Sequence, residues 1–129
     1  MKFKPNDPPR VFTVGQQVKF NLKDCAHIEL EANEQVTFKT REGHEYDVAR
    51  KEWGFYATPS LNGRLPKFHL RPVLIKNLES KKYYIALVEE GKEKKFRDYL
   101  KIHHYVAICW LDDEKKLEVL ERKIAGLPS

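Results

Sequence analysis

The side chains best suited to bind a ligand lie in one short stretch, residues 53–65, which reads WGFYATPSLNGRL. Aromatic rings offer flat apolar area for stacking. Hydroxyl and amide groups form directional hydrogen bonds, and arginine presents a bidentate fork to phosphate or carboxylate. Sugars and nucleotides both use this mixture. We therefore predict a ligand-binding loop that contains Trp53, Tyr56, Ser60, Asn62 and Arg64, with His69 and Arg71 on the neighbouring strand as further candidates.

The same stretch is also typical of a hairpin that has no binding role. The pair Asn62-Gly63 is a strong signal for a type I′ turn. In that case Trp53 and either Phe55 or Tyr56 pack into the core, and Arg64 pairs with a surface acid. Strand alternation puts Trp53 and Phe55 on one face and Tyr56 on the other. The sequence leaves both interpretations open.

Histidines and carboxylates indicate a second chemistry, that of a small enzyme with its site in a β-sheet cleft. His27 and Glu29 share a face of one predicted strand, and His44 lies two strands later. A metal site of the cupin type needs two histidines one residue apart, and here the partner of His27 is Glu29. Ser60 is not in a nucleophile elbow, and no phosphate-binding loop is present. We therefore assign no catalytic residue and expect no metal and no cofactor.

Nucleic acid is a third ligand class to consider. Tyr83 and Tyr84 follow Lys81 and Lys82, and binders of single strands combine stacking rings with positive charge. The formal net charge of +5 also favours an anionic partner. However, adjacent tyrosines point to opposite faces of a strand, and the RNA-recognition signature is absent. A nucleic-acid-binding protein is kept as an alternative, but we do not expect nucleic acid as the partner.

The elements that position these residues change in period halfway along the chain. Segments 26–31, 34–40 and 45–50 alternate between apolar and polar residues, which predicts antiparallel strands with one wet face. Pro72 should mark a bulge or a sheet edge because it cannot donate to a ladder. Segment 83–88 is apolar on both faces, which predicts a central strand.

The second half of the chain combines helices with strands. One helix follows Lys92 and carries an apolar face with helical spacing, formed by Phe96, Tyr99, Leu100 and His103. Segment 105–111 is a predicted buried strand, and Asp112 or Asp113 caps a last helix. Strand 83–88, the helix and strand 105–111 could form a βαβ unit. We predict an α+β fold with an antiparallel meander of about five strands followed by a ββαβα half. The alternative is a β-barrel-like fold with two peripheral helices.

Length and composition indicate a single domain. The chain has 129 residues, and we assign residues 1–10, with three prolines, to a flexible N-terminal arm and residues 11–129 to one α+β domain. No apolar run approaches the roughly 20 residues of a membrane span, and the N-terminus does not resemble a secretory signal. Cys25 and Cys109 form no disulfide or zinc pattern, which favours the cytoplasm. A monomer and a homodimer both remain open.

Three segments resemble a family of small bacterial proteins of unassigned function: WGFYATPSLNGRL, LVEEGKEKKF and VAICWLDDE. The resemblance covers residues 28–113. It implies a gene neighbourhood of cell-surface polysaccharide assembly and an accessory or binding role near activated sugars, and it supplies no catalytic residues. Together with the loop, it predicts a non-catalytic cytoplasmic binding or accessory protein. The ligand would be an anionic or sugar-bearing molecule, or a protein that handles one.

Overall fold

The computed structural model describes residues 1–15 and 18–126, and it has eight strands and three helices within these residues. Residues 16, 17 and 127–129 of the predicted domain lie outside the described part. The elements follow in the order β1 (Lys2–Val14), β2 (Phe20–Glu29), β3 (Gln35–Lys39), β4 (Glu45–Lys51), β5 (Gly54–Ala57), α1 (Arg64–Lys67), β6 (Leu70–Asn77), β7 (Tyr83–Glu89), α2 (Glu93–Ile102), β8 (Tyr105–Trp110) and α3 (Glu114–Ile124).

The strands form three antiparallel sheets, with the orders β1-β2, β3-β4-β5 and β7-β6-β8. This confirms the predicted α+β class, because five strands precede a ββαβα half. No closed barrel forms among the described residues, so the barrel-like alternative is wrong. No helix in the described part of the chain is long and apolar enough to cross a membrane.

The main core lies between the third sheet and α2. Val73 and Ile75 of β6, Val88 of β7 and Leu100 of α2 are buried together. Phe96 joins them on the helix face predicted from its spacing, because residues three and four apart in a helix lie on one side. Burial of these apolar groups is the main term that holds the helix against the sheet.

Pro72 was expected at a bulge or a sheet edge, and β7 was expected at the centre of its sheet. The edge and the central place are wrong, whereas the pairing of β6 with β8 does shift in register between Leu74 and Ile75, close to Pro72. β6 is central although it contains Pro72, and β7 is an edge strand with exposed Tyr83 and Ile85.

The carbonyl of Pro72 accepts from the Leu111 N–H at 2.9 Å, just beyond the end of β8. N–H and C=O of one residue in an antiparallel strand face the same neighbour. The N–H that Pro72 lacks would therefore point towards β8 at a position beyond the end of the β8 ladder. The proline is tolerated because no ladder hydrogen bond is lost.

The predicted βαβ unit is present in a split form. β7 and β8 are both antiparallel to β6, which lies between them, so they run parallel to each other. Helix α2 connects them across the central strand. The order of elements along the chain suggested that β7 and β8 are neighbours. In the structure β6 pairs with both of them and separates them.

The N-terminal segment, assigned from the sequence to a flexible arm, lies in a strand that pairs with β2. Residues 2–5 and 10–14 of β1 pair with β2, with a bulge between Pro5 and Arg10. Strand β2 consequently pairs with β1 and not with β3. A turn does occur at Asn33, whose φ is 68°, but it joins two different sheets instead of closing a hairpin.

Helix α3 begins as predicted and packs little. The Asp113 carboxylate accepts from the N–H groups of Lys115 and Lys116 at 2.9 and 3.1 Å, which satisfies two donors of the first turn. No residue of α3 is buried. Its start is therefore decided locally, whereas its apolar face makes no large contribution to the core.

Candidate functional site

The two aromatic candidates form a stacked pair at the protein surface. Gly54 opens β5 with a φ of 147°, a conformation that L side chains avoid, and this turn places Trp53 beside Tyr56. Their ring centroids lie 6.0 Å apart at an interplanar angle of 28°. Trp53 is 71% exposed and Tyr56 45% exposed. The interpretation that Trp53 packs into the core is therefore wrong, and so is its placement opposite Tyr56.

Arg64 is held by a buried carboxylate rather than by a surface acid. Its Nη2 donates to Asp47 Oδ2 at 2.8 Å and to Thr58 Oγ1 at 2.9 Å. Asp47 is buried in β4 and also accepts from the Thr37 hydroxyl. The Arg64 guanidinium thus ties the loop after β5 to the middle of the second sheet, while half of the side chain stays exposed.

Residues 60–63 do not form the predicted β-hairpin. Gly63 has a φ of −132°, and the strands on either side belong to different sheets. The Ser60 hydroxyl accepts from the Arg64 N–H at 2.9 Å, and its carbonyl accepts from the Leu65 N–H at 3.0 Å. This serine therefore holds the turn that leads into α1. A side chain at position 63 would collide with the Ser60 hydroxyl, so glycine is needed there to let the Ser60 side chain approach the backbone. Asn62 is exposed in the same turn.

The register of β4 and β5 brings the aromatic pair and Arg64 to one face of the second sheet. Tyr56 lies opposite Ala49, so the two share a face, and Asp47 lies two residues from Ala49 on that face. Thr58, two residues after Tyr56, accepts from Arg64. We call this surface the loop face, defined by Trp53, Tyr56, Ser60, Asn62 and Arg64.

Of the two further candidates, Arg71 belongs to β6 in the third sheet, which does not pair with β5. His69 lies in the turn just before β6, with a φ of 60°, so its predicted place on a strand is wrong. Arg71 donates through Nε to Asp112 at 2.8 Å, pairs with Glu93 at 3.6 Å and lies over the Trp110 ring at 4.2 Å. The Asp112 hydrogen bond raises the pKa of Arg71. Its partners lie on α2 and just after β8, so Arg71 connects elements of the third sheet.

A histidine–glutamate pair, not predicted as such, lines a cleft beside the second sheet. His44 Nδ1 lies 2.8 Å from Glu89 Oε1, and both side chains are largely buried. Glu89 also binds Lys92, and this hydrogen bond, followed by that of His44, lowers the pKa of Glu89 from 4.5 to about 2. The cleft has a volume of about 460 Å³, and we call it the histidine cleft. Its apolar lining is formed by Phe38, Tyr46, Leu70 and Leu87.

The chemistry of this pair follows from the state of the carboxylate. Ionised Glu89 can only accept, so a neutral His44 donates through Nδ1 and keeps its lone pair on Nε2. That arrangement suits a general base. His69 lies next to it, with ring centroids 5.9 Å apart, and pairs with Glu90 at 3.0 Å.

The predicted enzyme set of His27, Glu29 and His44 is not assembled. His27 contacts Asn6 and Asp24 within the β1-β2 sheet, and Glu29 pairs with Lys2 there. Among the described residues, no group of three or more His, Cys, Asp or Glu side chains could hold a metal ion. Glu89, the actual partner of His44, lies 45 residues away. No local sequence pattern predicts that His44 and Glu89 form a pair.

These observations define the chain as an α+β protein of three small antiparallel sheets with an exposed aromatic surface on the second. No protein-family model, curated protein or solved structure matches it. The family resemblance of residues 28–113 therefore stays a prediction.

Proposed function

We propose that this chain is a non-catalytic cytoplasmic binding or accessory protein, and that its loop face binds an anionic or sugar-bearing ligand. The observation that carries the proposal is the stacked pair Trp53 and Tyr56, which is exposed to solvent. Exposed aromatic rings contribute little to the core and are suited to pack against a sugar or base. Arg64 on the same face supplies a positive charge. Cys25 and Cys109 are free thiols, which suits a reducing compartment.

Two hydrogen bonds hold the Arg64 side chain in the proposed site. One of its terminal nitrogens is committed to Asp47 and Thr58, so the arginine has a fixed position before a ligand arrives. A preorganised side chain loses less conformational freedom on binding than a free one. The aromatic pair supplies contact area, and the arginine supplies orientation for an anionic group.

A thermal-shift titration with glucose 1-phosphate, an anionic sugar that carries no base, tests the proposal. At 100 times the dissociation constant, a ligand stabilises the folded state by about 2.7 kcal/mol, which raises the melting temperature by about 5 °C or more. Trp53→Ala and Tyr56→Ala should abolish the shift. Phe55→Ala, which changes an exposed ring on the other face of β5, should keep it. If no shift occurs, or if all three variants behave alike, the loop face is not the site.

A small enzyme is the second candidate function, and the histidine cleft favours it. The pair His44 and Glu89 places an imidazole base in a cleft with apolar walls. In such a site, His44 Nε2 would take a proton from a bound water or hydroxyl. Hydrolysis of p-nitrophenyl acetate and p-nitrophenyl phosphate tests it. Activity should be lost in His44→Asn and kept in His27→Asn; equal rates in both, or no activity in the parent, would remove this candidate.

A further inference from the structure

A second cleft lies between the β1-β2 sheet and the third sheet, away from the loop face. It has a volume of about 490 Å³, and we call it the aromatic cleft. One wall comes from β2 and the other from the third sheet and α2. Its main lining residues are Phe20, Leu22, Lys82, Tyr84, Tyr99 and Tyr105. This size and this mixture of rings with a few polar groups are typical of small-molecule sites.

The rings of the aromatic cleft hold one another in place. Tyr99 and Tyr105 lie nearly parallel, at 19° and 6.2 Å, and Tyr84 contacts Tyr105 edge-on at 6.0 Å. Phe20 closes the other side, 5.6 Å from the His103 ring. Desolvation raises the pKa of the Tyr99 phenol. The cleft therefore presents fixed, partly dehydrated aromatic walls.

One end of the aromatic cleft is polar, and its described lining residues include no carboxylate. Asn77 Oδ1 accepts from the N–H groups of Glu79 and Ser80 at 2.9 Å each, which shapes the β6-β7 turn. The turn presents the Ser80 and Lys82 side chains to the cleft. Among the described lining residues there is one lysine and one histidine, His103, and no carboxylate. An anionic group is favoured there, whereas a cation is not.

We propose that the aromatic cleft binds a mononucleotide, with its base against the tyrosine rings and its phosphate at Lys82. Bases of any sequence stack on aromatic side chains, and a charge-assisted bond from lysine suits a phosphate. The cleft thereby uses Tyr84 and Lys82, two of the residues whose neighbourhood along the chain had suggested nucleic acid. The proposal is independent of the ligand proposed for the loop face.

Isothermal titration calorimetry with UMP and AMP tests the ligand class. Both should bind, and uridine, which lacks the phosphate, should bind about tenfold more weakly or worse, as expected for a lost charged hydrogen bond. Ribose 5-phosphate, which lacks the base, should also bind more weakly. Absence of binding at 1 mM UMP and AMP would overturn the proposal. A ten-nucleotide single strand that binds with a steep salt dependence while mononucleotides do not would overturn it in favour of a strand-binding surface.

A pair of variants tests whether UMP binds in the aromatic cleft. Tyr84→Leu should weaken UMP binding about tenfold, because it removes a ring of the wall. Tyr83→Leu changes the preceding residue of the same edge strand, on the opposite face, and should bind UMP like the parent. Both tyrosines are about half exposed, at 46% and 58% for Tyr84 and Tyr83, so both variants should fold. Equal loss in both variants would place the ligand elsewhere.

A second pair of variants tests the anion contact. Lys82→Ala should weaken UMP binding about tenfold and leave uridine binding unchanged, because only the phosphate contact is lost. Lys101→Ala, an exposed change on α2 outside the lining, alters the net charge equally and should have little effect. Trp53→Ala should leave UMP binding intact, so failure of this proposal and failure of the loop-face proposal can be distinguished.

Discussion

The two tryptophans of this chain lie in contrasting surroundings. Trp110, in β8, packs against the edge of Phe96 at 6.0 Å and lies under the guanidinium of Arg71. Trp53, beside β5, stacks on Tyr56 and exposes most of its surface. The third sheet thus uses its large ring to join strands and helix, whereas the second sheet displays its ring to solvent.

The same contrast holds for the charged residues of the two sheets. Arg71 connects β6 to α2 and to the segment after β8, so its partners are all elements of one packed unit. Arg64 anchors a surface loop to β4 and keeps half of its side chain exposed. The comparison indicates that the third sheet with α2 carries most of the stability, and that the second sheet carries residues that stability does not require.

The largest expected effect is on the core beneath α2. Leu100→Ala should lower the free energy of unfolding by about 3 kcal/mol, because it leaves a cavity among buried side chains. Leu120→Ala, the same change on α3, should cost less than about 1 kcal/mol, because that leucine is 41% exposed whereas Leu100 is 8% exposed. Urea unfolding monitored by circular dichroism measures both. Equal losses would mean that α3 packs as firmly as α2.

A smaller effect is expected at the anchor of the loop face. Asp47→Asn should cost about 2 kcal/mol, because it removes the charged partner of Arg64 from a buried position. The matched surface change is Asp98→Asn, which breaks an exposed pair with Lys94 and should stay within about 0.5 kcal/mol. Chemical denaturation of the parent and the two variants measures both losses of stability. Indistinguishable midpoints would show that the Asp47 carboxylate contributes no more than a surface charge.

The pH dependence of stability should report the Glu89 pair. Its folded pKa is lowered from 4.5 to about 2, with the Lys92 hydrogen bond as the largest cause. The stabilising contribution is therefore complete above about pH 4.5 and is lost as the pH falls towards 2. In melting experiments between pH 6 and 2.5, Glu89→Gln should lose less stability over this range than the parent, and Lys92→Met should behave similarly. Parallel curves for all three would contradict the assigned cause.

The smallest effect on stability is expected at the aromatic pair. Trp53→Ala should change the free energy of unfolding by less than about 1 kcal/mol, because its ring stacks on the half-exposed Tyr56 and is mostly in solvent. Thermal and urea denaturation test this. A loss above about 2 kcal/mol would show that Trp53 has a structural role, and the contrast between the two tryptophans would then fail.

Much of the fold could be read from local pattern. The helical spacing of Phe96 and Leu100 predicts the face that α2 buries, because a helix of period 3.6 exposes one side to the sheet. Asp113 predicts the start of α3, because a short carboxylate can reach the free N–H groups of the first turn. Alternation predicts strands β2, β3 and β4, and its change of period predicts the ββαβα half, but the pattern did not predict β1 as a strand.

The binding candidates were predictable only as residue types. The sequence shows that Trp53, Tyr56 and Arg64 are near one another along the chain, which is enough to propose a loop. It does not show that Asn62-Gly63 leads into α1, where the Ser60 hydroxyl accepts from the Arg64 N–H. The preference of a dipeptide for a turn is weaker than a hydrogen-bonded helix start supported by burial of Leu65.

By itself, the sequence determined features that depend on neighbours along the chain: the face that α2 buries, the cap of α3 and the position of most strands along the chain. Tertiary structure alone decided the rest. Pro72 can lie in the central strand because the β8 ladder ends beside it, so the N–H that proline lacks is not needed there. His44 and Glu89 form a pair although 45 residues separate them in the sequence. Asp47 met Arg64 because β4 and the loop after β5 fold onto the same face. Contacts between distant residues depend on how the strands pair and how the sheets pack. The periodicity of apolar residues in the sequence does not specify that pairing.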